Sequence, residues 1–191
     1  MRPPFSFLAG VAVVVLYCVF TFASFALYPA AYSPVTNWLS DLGNSSYNPK
    51  GAVFYNLGCI LTGIALFPFF IGLYEWYTVN KRFRLGLVVW QAEGCVAAFS
   101  LIMIGVFSED SGSLHTLWSA VFFILILGVL LGVGSLLFTH PRYIRKIAYY
   151  GFIVAAIDVL FIFFDAPWLE WFTVFSALGY VGLMAFNMLK K

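Results

Sequence analysis

Acidic and imidazole side chains that could bind a ligand lie near the ends of long apolar segments in this sequence. Ser40 and Asp41 follow the first segment, and Asp110 and His115 flank the start of the fourth. Carboxylates together with neutral imidazole suit a divalent metal. We therefore take Ser40, Asp41 and His115 as candidate catalytic residues, and Asp41, Asp110 and His115 as a candidate metal set. The sequence contains no strict metal-binding motif such as H-E-x-x-H, so only the types of donor suggest a metal.

Two further carboxyl groups lie well inside apolar segments, away from their ends. Glu93 falls about 12 Å from the start of the third segment at a rise of 1.5 Å per residue, and Asp158 lies within the fifth. A charge at such depth is costly, and no Lys or Arg lies within any of the apolar segments to pair with it. Each carboxyl must be protonated, hydrogen-bonded inside a bundle, or bound to a cation. Asp165 follows Asp158 by seven residues, so we expect the two to share one helix face.

The composition indicates which elements position these residues. Hydrophobic residues make up 63% of the 191 residues and charged residues 9%, against roughly 25% charged in a soluble domain. Lipid cannot satisfy unpaired backbone groups, so each apolar segment of about 20 residues must cross the bilayer as a helix. The six predicted spans are Phe5–Tyr28, Gly51–Tyr77, Leu85–Phe107, Leu114–Phe138, Ile147–Phe164 and Trp168–Leu189. The prediction is an all-α, polytopic bundle of six transmembrane helices, forming a single integral membrane domain over residues 1–191.

Basic residues are sorted to one side of the predicted membrane. Nine of the ten lie on that side and only Lys50 on the other: Arg2, Lys81, Arg82, Arg84, Arg142, Arg145, Lys146, Lys190 and Lys191. The positive-inside rule therefore predicts a multi-pass protein of the cell membrane with cytoplasmic N- and C-termini. Five acidic residues fall on the outer side: Asp41, Glu109, Asp110, Asp165 and Glu170. No basic patch is interleaved with aromatic residues on a soluble face, so nucleic acid is not an expected partner.

The longest connection, residues 29–50, is predicted to contain a short interfacial helix. Ser33 suits the N-cap, Pro34 the first helical position, and Gly43 the residue after the end. Apolar residues recur on one face, which is typical of a helix lying at the membrane interface: Val35, Trp38, Leu39 and Leu42. The helix is either a simple loop anchor or a lid that presents Ser40 and Asp41 to the mouth of the bundle.

Three motifs resemble those of a prokaryotic six-helix membrane family. They are S-P-V-T-N-W-L-S-D-L-G-N at 33–44, N-P-K-G-A-V-F-Y-N at 48–56 and G-V-F-S-E-D-S-G-S-L-H at 105–115. Nearly the whole chain is similar to the domain-of-unknown-function family numbered nine hundred and ninety-eight. A more distant likeness runs to the eukaryotic Frag and DRAM type of membrane proteins.

The resemblance implies the six-helix fold and no activity. It points to these motif positions: Ser40, Asp41, Gly43, Asn56, Asp110 and His115. Where the family's outer motif has F-P-E-D, this chain has Ser108. With Asn56 included, the candidate ligand-binding residues are Asn56, Glu93, Asp158 and Asp165.

Three functions remain open from the sequence. The first is a protein that binds a lipid or small amphiphile in an outward-facing polar pocket, or serves as an accessory subunit, with membrane lipids and other membrane subunits as partners. The second is a metal-dependent hydrolase or transferase acting on lipid head groups, in which the candidate metal set activates water. The third is a small proton- or cation-coupled transporter with Glu93 and Asp158 as relay groups. The pocket that we predict requires the outer polar residues to converge.

Overall fold

Helices make up most of the computed structural model, which describes residues 3–189. The six long helices are α1 Phe5–Ala26, α2 Ala52–Ile71, α3 Lys81–Val106, α4 Ser113–Phe138, α5 Arg145–Phe164 and α6 Pro167–Leu189. Short 3-10 helices lie between them: η1 Ser40–Gly43, η2 Gly72–Trp76 and η3 Glu109–Ser111. All six long helices are long and apolar enough to cross a membrane, α2 together with η2, which confirms the predicted fold class. Arg2, Lys190 and Lys191, which the orientation prediction uses, lie outside the described residues.

The six helices form a closed ring. Each packs against its neighbours in the chain, and α6 returns to pack against α1. Short connections favour this antiparallel, sequential arrangement. We call the end with connections 27–51, 107–112 and 165–166 the loop end, and the end with connections 77–80 and 139–144 the opposite end.

Apolar side chains cover both the inside and the outside of the ring. Leu66 and Met184 are buried between helices, whereas Val19, Leu131 and Phe163 are exposed on the outer surface. Exposing such a surface to water would be unfavourable, whereas lipid tails are as apolar as these side chains. The outer surface of the ring is therefore a lipid-facing surface, and the chain is a multi-pass membrane protein.

The third helix begins earlier than its apolar segment. The Asn80 side chain accepts hydrogen bonds from the backbone N–H groups of Arg82 and Phe83, at 2.9 and 3.3 Å. An N-cap of this kind satisfies the free donors of the first turn. The cap extends α3 to Lys81, four residues before the predicted start at Leu85.

The predicted helix of the first loop is reduced to one 3-10 turn. Residues 34–36 form a separate turn, and only Ser40–Gly43 are helical. The Asp41 carboxylate accepts the N–H of Trp38 at 2.9 Å, and the Tyr32 hydroxyl donates to the Trp38 carbonyl at 2.5 Å. These side chains occupy backbone groups that a continuous helix would use. Leu39 is also fully buried, so the segment enters the bundle instead of lying along the membrane surface.

Candidate functional site

A segment of the first loop covers the ring at the loop end. We call residues 38–43 the loop plug; its side chains Leu39 and Leu42 are fully buried. The Glu170 carboxylate, in the first turn of α6, accepts the backbone N–H groups of Leu39 and Ser40 at 2.6 and 3.4 Å. A carboxylate is a strong acceptor for N–H groups at the start of a helical turn. Glu170 therefore ties the loop plug to α6.

Asn48 holds the loop plug from the other side. Its side-chain amide donates to the Ser24 carbonyl, the Ser24 hydroxyl and the Leu42 carbonyl at 3.2, 3.0 and 3.1 Å, and its Oδ1 accepts the N–H of Gly51 at 3.1 Å. Asn56 donates in the same way to the Gly43 carbonyl at 2.9 Å. Because Asn48 is fully buried, these bonds join α1, the loop plug and α2 without competition from water.

The second loop lies against the first through two acidic residues. The exposed Asp110 carboxylate accepts the N–H of Ser45 at 2.9 Å. Burial opposes ionisation of Asp110, but the hydrogen bonds from Ser45 outweigh it and lower its pKa. The half-buried Glu109 lies against Asp41 and Asn44, and burial, followed by the nearby Asp41 carboxylate, raises the pKa of Glu109 to about 7. Glu109 and Asp41 thus form a carboxyl pair between the two loops.

Beneath the loop plug, a narrow cavity of about 100 Å³ extends between the helices. On α4 its lining runs from His115 to Val133, and on α6 from Glu170 to Met184. At 1.5 Å per residue these stretches are about 27 and 21 Å long. The cavity therefore follows most of the roughly 30 Å hydrocarbon thickness of a bilayer.

Polar groups are concentrated in the half of the cavity nearest the loop end. They are Tyr17, Ser40, Tyr55, Thr62, His115, Ser119, Glu170 and Thr173. The Tyr17 and Tyr55 hydroxyls lie 3.3 Å apart. Deeper positions are mainly apolar, as at Leu73, Val133 and Met184. Among residues 3–189, no Lys or Arg lines the cavity.

Two buried hydroxyl groups of the lining have unused hydrogen-bonding capacity. Thr62 Oγ1 and Thr173 Oγ1 find no hydrogen-bond partner within the described part of the chain. Their side chains are 2% and 1% exposed. A buried hydroxyl without a partner costs about 1–3 kcal/mol, so these two groups favour a ligand that bonds to them.

The hydrogen bond of His115 determines which of its two ring nitrogens carries the proton. Its Nδ1 lies 2.9 Å from the Phe107 carbonyl oxygen, which can only accept, so Nδ1 carries the proton. In the neutral ring, Nε2 is then an acceptor. His115 is buried in the first turn of α4 and lines the cavity, as does Ser40. The structure therefore brings two of the three candidate catalytic residues to one cavity.

The candidate metal set is not assembled. In the range 3–189, no three His, Cys, Asp or Glu side chains lie close enough together to hold a metal ion. Asp110 is engaged by Ser45, Asp41 by Trp38, and His115 by Phe107. These side chains carry suitable metal-binding atoms, but each is already hydrogen-bonded to a backbone group.

The candidate ligand-binding residues are scattered over the structure, and none of them lines the cavity. Asn56 holds the loop plug, and Glu93 is half-buried against Gly128 in the α3–α4 contact.

Asp158 is fully buried, and neither of its carboxyl oxygens has a hydrogen-bond partner among the residues described. Asp165 is exposed with φ of 43°, because α5 ends at Phe164 and the chain turns there. The expectation that Asp158 and Asp165 share a helix face is therefore wrong.

Sequence reasoning missed four residues of this site: Asn48, Thr62, Glu170 and Thr173. The sequence identifies Glu170 only as one of the acidic residues on the outer side. Pro167 is the first residue of α6, and Pro at that position is a recognisable helix start. The predicted span Trp168–Leu189 also contains Glu170 and Thr173 three residues apart, which places them on one helix face. No comparable pattern identifies Thr62 within its apolar segment.

Comparison with known protein families gives one informative result. A family model described as "Protein of unknown function (DUF998)" matches residues 11–189. No curated protein and no solved structure matches the chain. The match covers most of α1 and all of α2 to α6, together with the loop plug and the cavity. The chain therefore belongs to the DUF998 family of proteins of unknown function.

Proposed function

We propose that this protein binds a lipid or another small amphiphile inside its helical ring. The observation that carries the proposal is the cavity, which is apolar over its depth and polar beneath the loop plug. An amphiphile has the same division, because its tail avoids water and its head needs hydrogen-bond partners. Binding would place the tail between the helices and the head near Ser40, His115 and Glu170.

The dimensions of the cavity favour an extended chain over a compact molecule. Clefts for drug-sized ligands enclose about 300–1,000 Å³. This cavity is smaller, at about 100 Å³, yet its lining follows α4 from His115 to Val133. This shape favours an alkyl or isoprenoid tail, which would widen the space by displacing the side chains that line it.

We also propose that the protein resides in the cell membrane with the loop end outside the cytoplasm. Six of the seven described basic residues lie at the opposite end: Lys81, Arg82, Arg84, Arg142, Arg145 and Lys146. Lys50 alone lies at the loop end. This distribution supports cytoplasmic termini by the positive-inside rule. The polar half of the cavity would then face outward.

Native mass spectrometry of the gently purified protein tests the binding proposal. Ala177 lines the cavity, so Ala177→Phe should fill it, whereas Ala120 is exposed on α4 and Ala120→Phe adds the same ring on the lipid side. We expect a retained amphiphile on the wild type and on Ala120→Phe, and its loss from Ala177→Phe. A bare wild-type protein, or equal retention by the two variants, would contradict the proposal.

A further inference from the structure

We propose that the head group of the bound amphiphile is a hydrogen-bond donor, a hydroxyl or an amine, and not a carboxylate or a phosphate. This inference rests on the proposed function and specifies the ligand class of the same cavity.

The charge distribution disfavours an anionic head group. Glu170 is the single carboxyl among the lining residues, and no Lys or Arg of the described chain joins it. The loop end as a whole carries five acidic residues and one basic residue, a formal balance of −4: Asp41, Glu109, Asp110, Asp165, Glu170 and Lys50. A carboxylate or phosphate head would lose its hydration here without gaining a positive partner, whichever protonation state Glu170 adopts.

His115, and Glu170 in its ionised form, offer hydrogen-bond acceptors to a ligand. Glu170 Oε2 accepts two backbone N–H groups, and the carboxyl group can only accept while it is ionised. His115 uses its Nδ1 proton on the Phe107 carbonyl, which leaves Nε2 as an acceptor in the neutral ring. A head group that donates therefore matches neutral His115 and ionised Glu170, whereas one that can only accept does not match His115.

The hydroxyl groups without a partner are suitably placed for such a head. Thr173 follows Glu170 by three residues on α6, so it lies on the same face about 4.5 Å deeper. Thr62 lies on α2 and lines the same cavity. A threonine hydroxyl both donates and accepts, so Thr173 would complete the hydrogen bonds of a hydroxyl or amine held beside Glu170.

The experiment uses four amphiphiles that share one tail and differ in the head: hexadecanol, hexadecylamine, hexadecanoic acid and hexadecyl phosphate. The full-length protein in mild detergent receives an equimolar mixture, and bound probes are counted by native mass spectrometry, with Ala177→Phe as the blocked control. We expect the alcohol and the amine to exceed the acid and the phosphate roughly tenfold or more, the worth of one hydrogen bond to a charged group.

Two isosteric variants test the assigned contacts. Thr173→Val removes a hydroxyl that makes no hydrogen bond with the described residues, so it should not lower the thermal stability of the ligand-free protein but should reduce alcohol binding. Glu170→Gln keeps an acceptor for Leu39 and Ser40, and should reduce amine binding more than alcohol binding.

The outcomes separate the two proposals. Binding of the acid or the phosphate as strong as that of the alcohol would overturn the head-group inference and leave amphiphile binding intact. Unchanged alcohol and amine binding in both isosteric variants would also overturn it. Binding of no probe above the level of Ala177→Phe would overturn both the inference and the proposed function.

Discussion

Replacing Asn48 by Asp tests whether one buried amide holds the loop plug in place. The change keeps the shape and the Oδ1 acceptor but removes the amide donor of three hydrogen bonds, to the Ser24 carbonyl, the Ser24 hydroxyl and the Leu42 carbonyl. The Leu42 carbonyl keeps the Ser24 hydroxyl as a donor, and the Ser24 carbonyl keeps the N–H of Leu27. The amide has two protons shared among these three acceptors, so about two hydrogen bonds of about 1 kcal/mol each are lost. The new carboxylate is also buried beside two carbonyl oxygens, so the total loss should be about 2 kcal/mol or more.

The same substitution at Asn80 is the matched control. Asn80 uses its Oδ1 to accept the N–H groups of Arg82 and Phe83 at the start of α3, and a carboxylate accepts these bonds equally well. A negative charge at a helix N-terminus adds about 0.3–1 kcal/mol of stability. Asn80→Asp should therefore be neutral or slightly stabilising.

Unfolding in mixed micelles with increasing sodium dodecyl sulfate, followed by far-ultraviolet circular dichroism, measures both effects. A loss of about 2 kcal/mol or more is a large part of the 5–15 kcal/mol that stabilises a typical protein, so the midpoint should move clearly. If Asn48→Asp unfolds with the wild type, or if Asn80→Asp loses as much stability as Asn48→Asp, the bonds of Asn48 do not fix the loop plug.

The Glu109 carboxyl, the Gly43 backbone and the orientation of the loop end each give a further prediction. Because the folded state raises the pKa of Glu109 from 4.5 to about 7, it binds the proton more tightly than the unfolded state does. Thermal stability should then fall as pH rises from about 4.5 to about 7. The loss should stay below about 3 kcal/mol, since Glu109 is only half-buried, and a Glu109→Gln variant that kept the same slope would exclude this origin. Gly43→Ala should cost about 1–3 kcal/mol because its Cβ would lie 2.5 Å from Asn56 Oδ1, whereas Gly86→Ala, with no neighbour nearer than 3.4 Å, should not destabilise. In intact cells a membrane-impermeant maleimide should label Ser46→Cys, at the loop end, and not Val79→Cys; the reverse pattern would overturn the proposed orientation.

The sequence by itself determined the class of protein and the number of spans. An apolar segment of about 20 residues crosses lipid as a helix, so the six apolar segments predicted α1 to α6 directly. Their ends were less certain, since caps such as Asn80 extend a helix beyond its apolar part. The motifs around Ser40 and His115 also identified both loops that meet at the loop end.

Only the tertiary structure decided which polar residues meet. A membrane helix is apolar on every side, so its sequence does not indicate which face turns inward. For this reason the sequence could not distinguish Glu93, which packs against Gly128, from Thr62, which lines the cavity. The same holds for Asp165, which follows the end of α5, and Glu170. The rotation of each helix is set by close packing against its neighbours, and that packing places Glu170, His115 and Ser40 at one cavity.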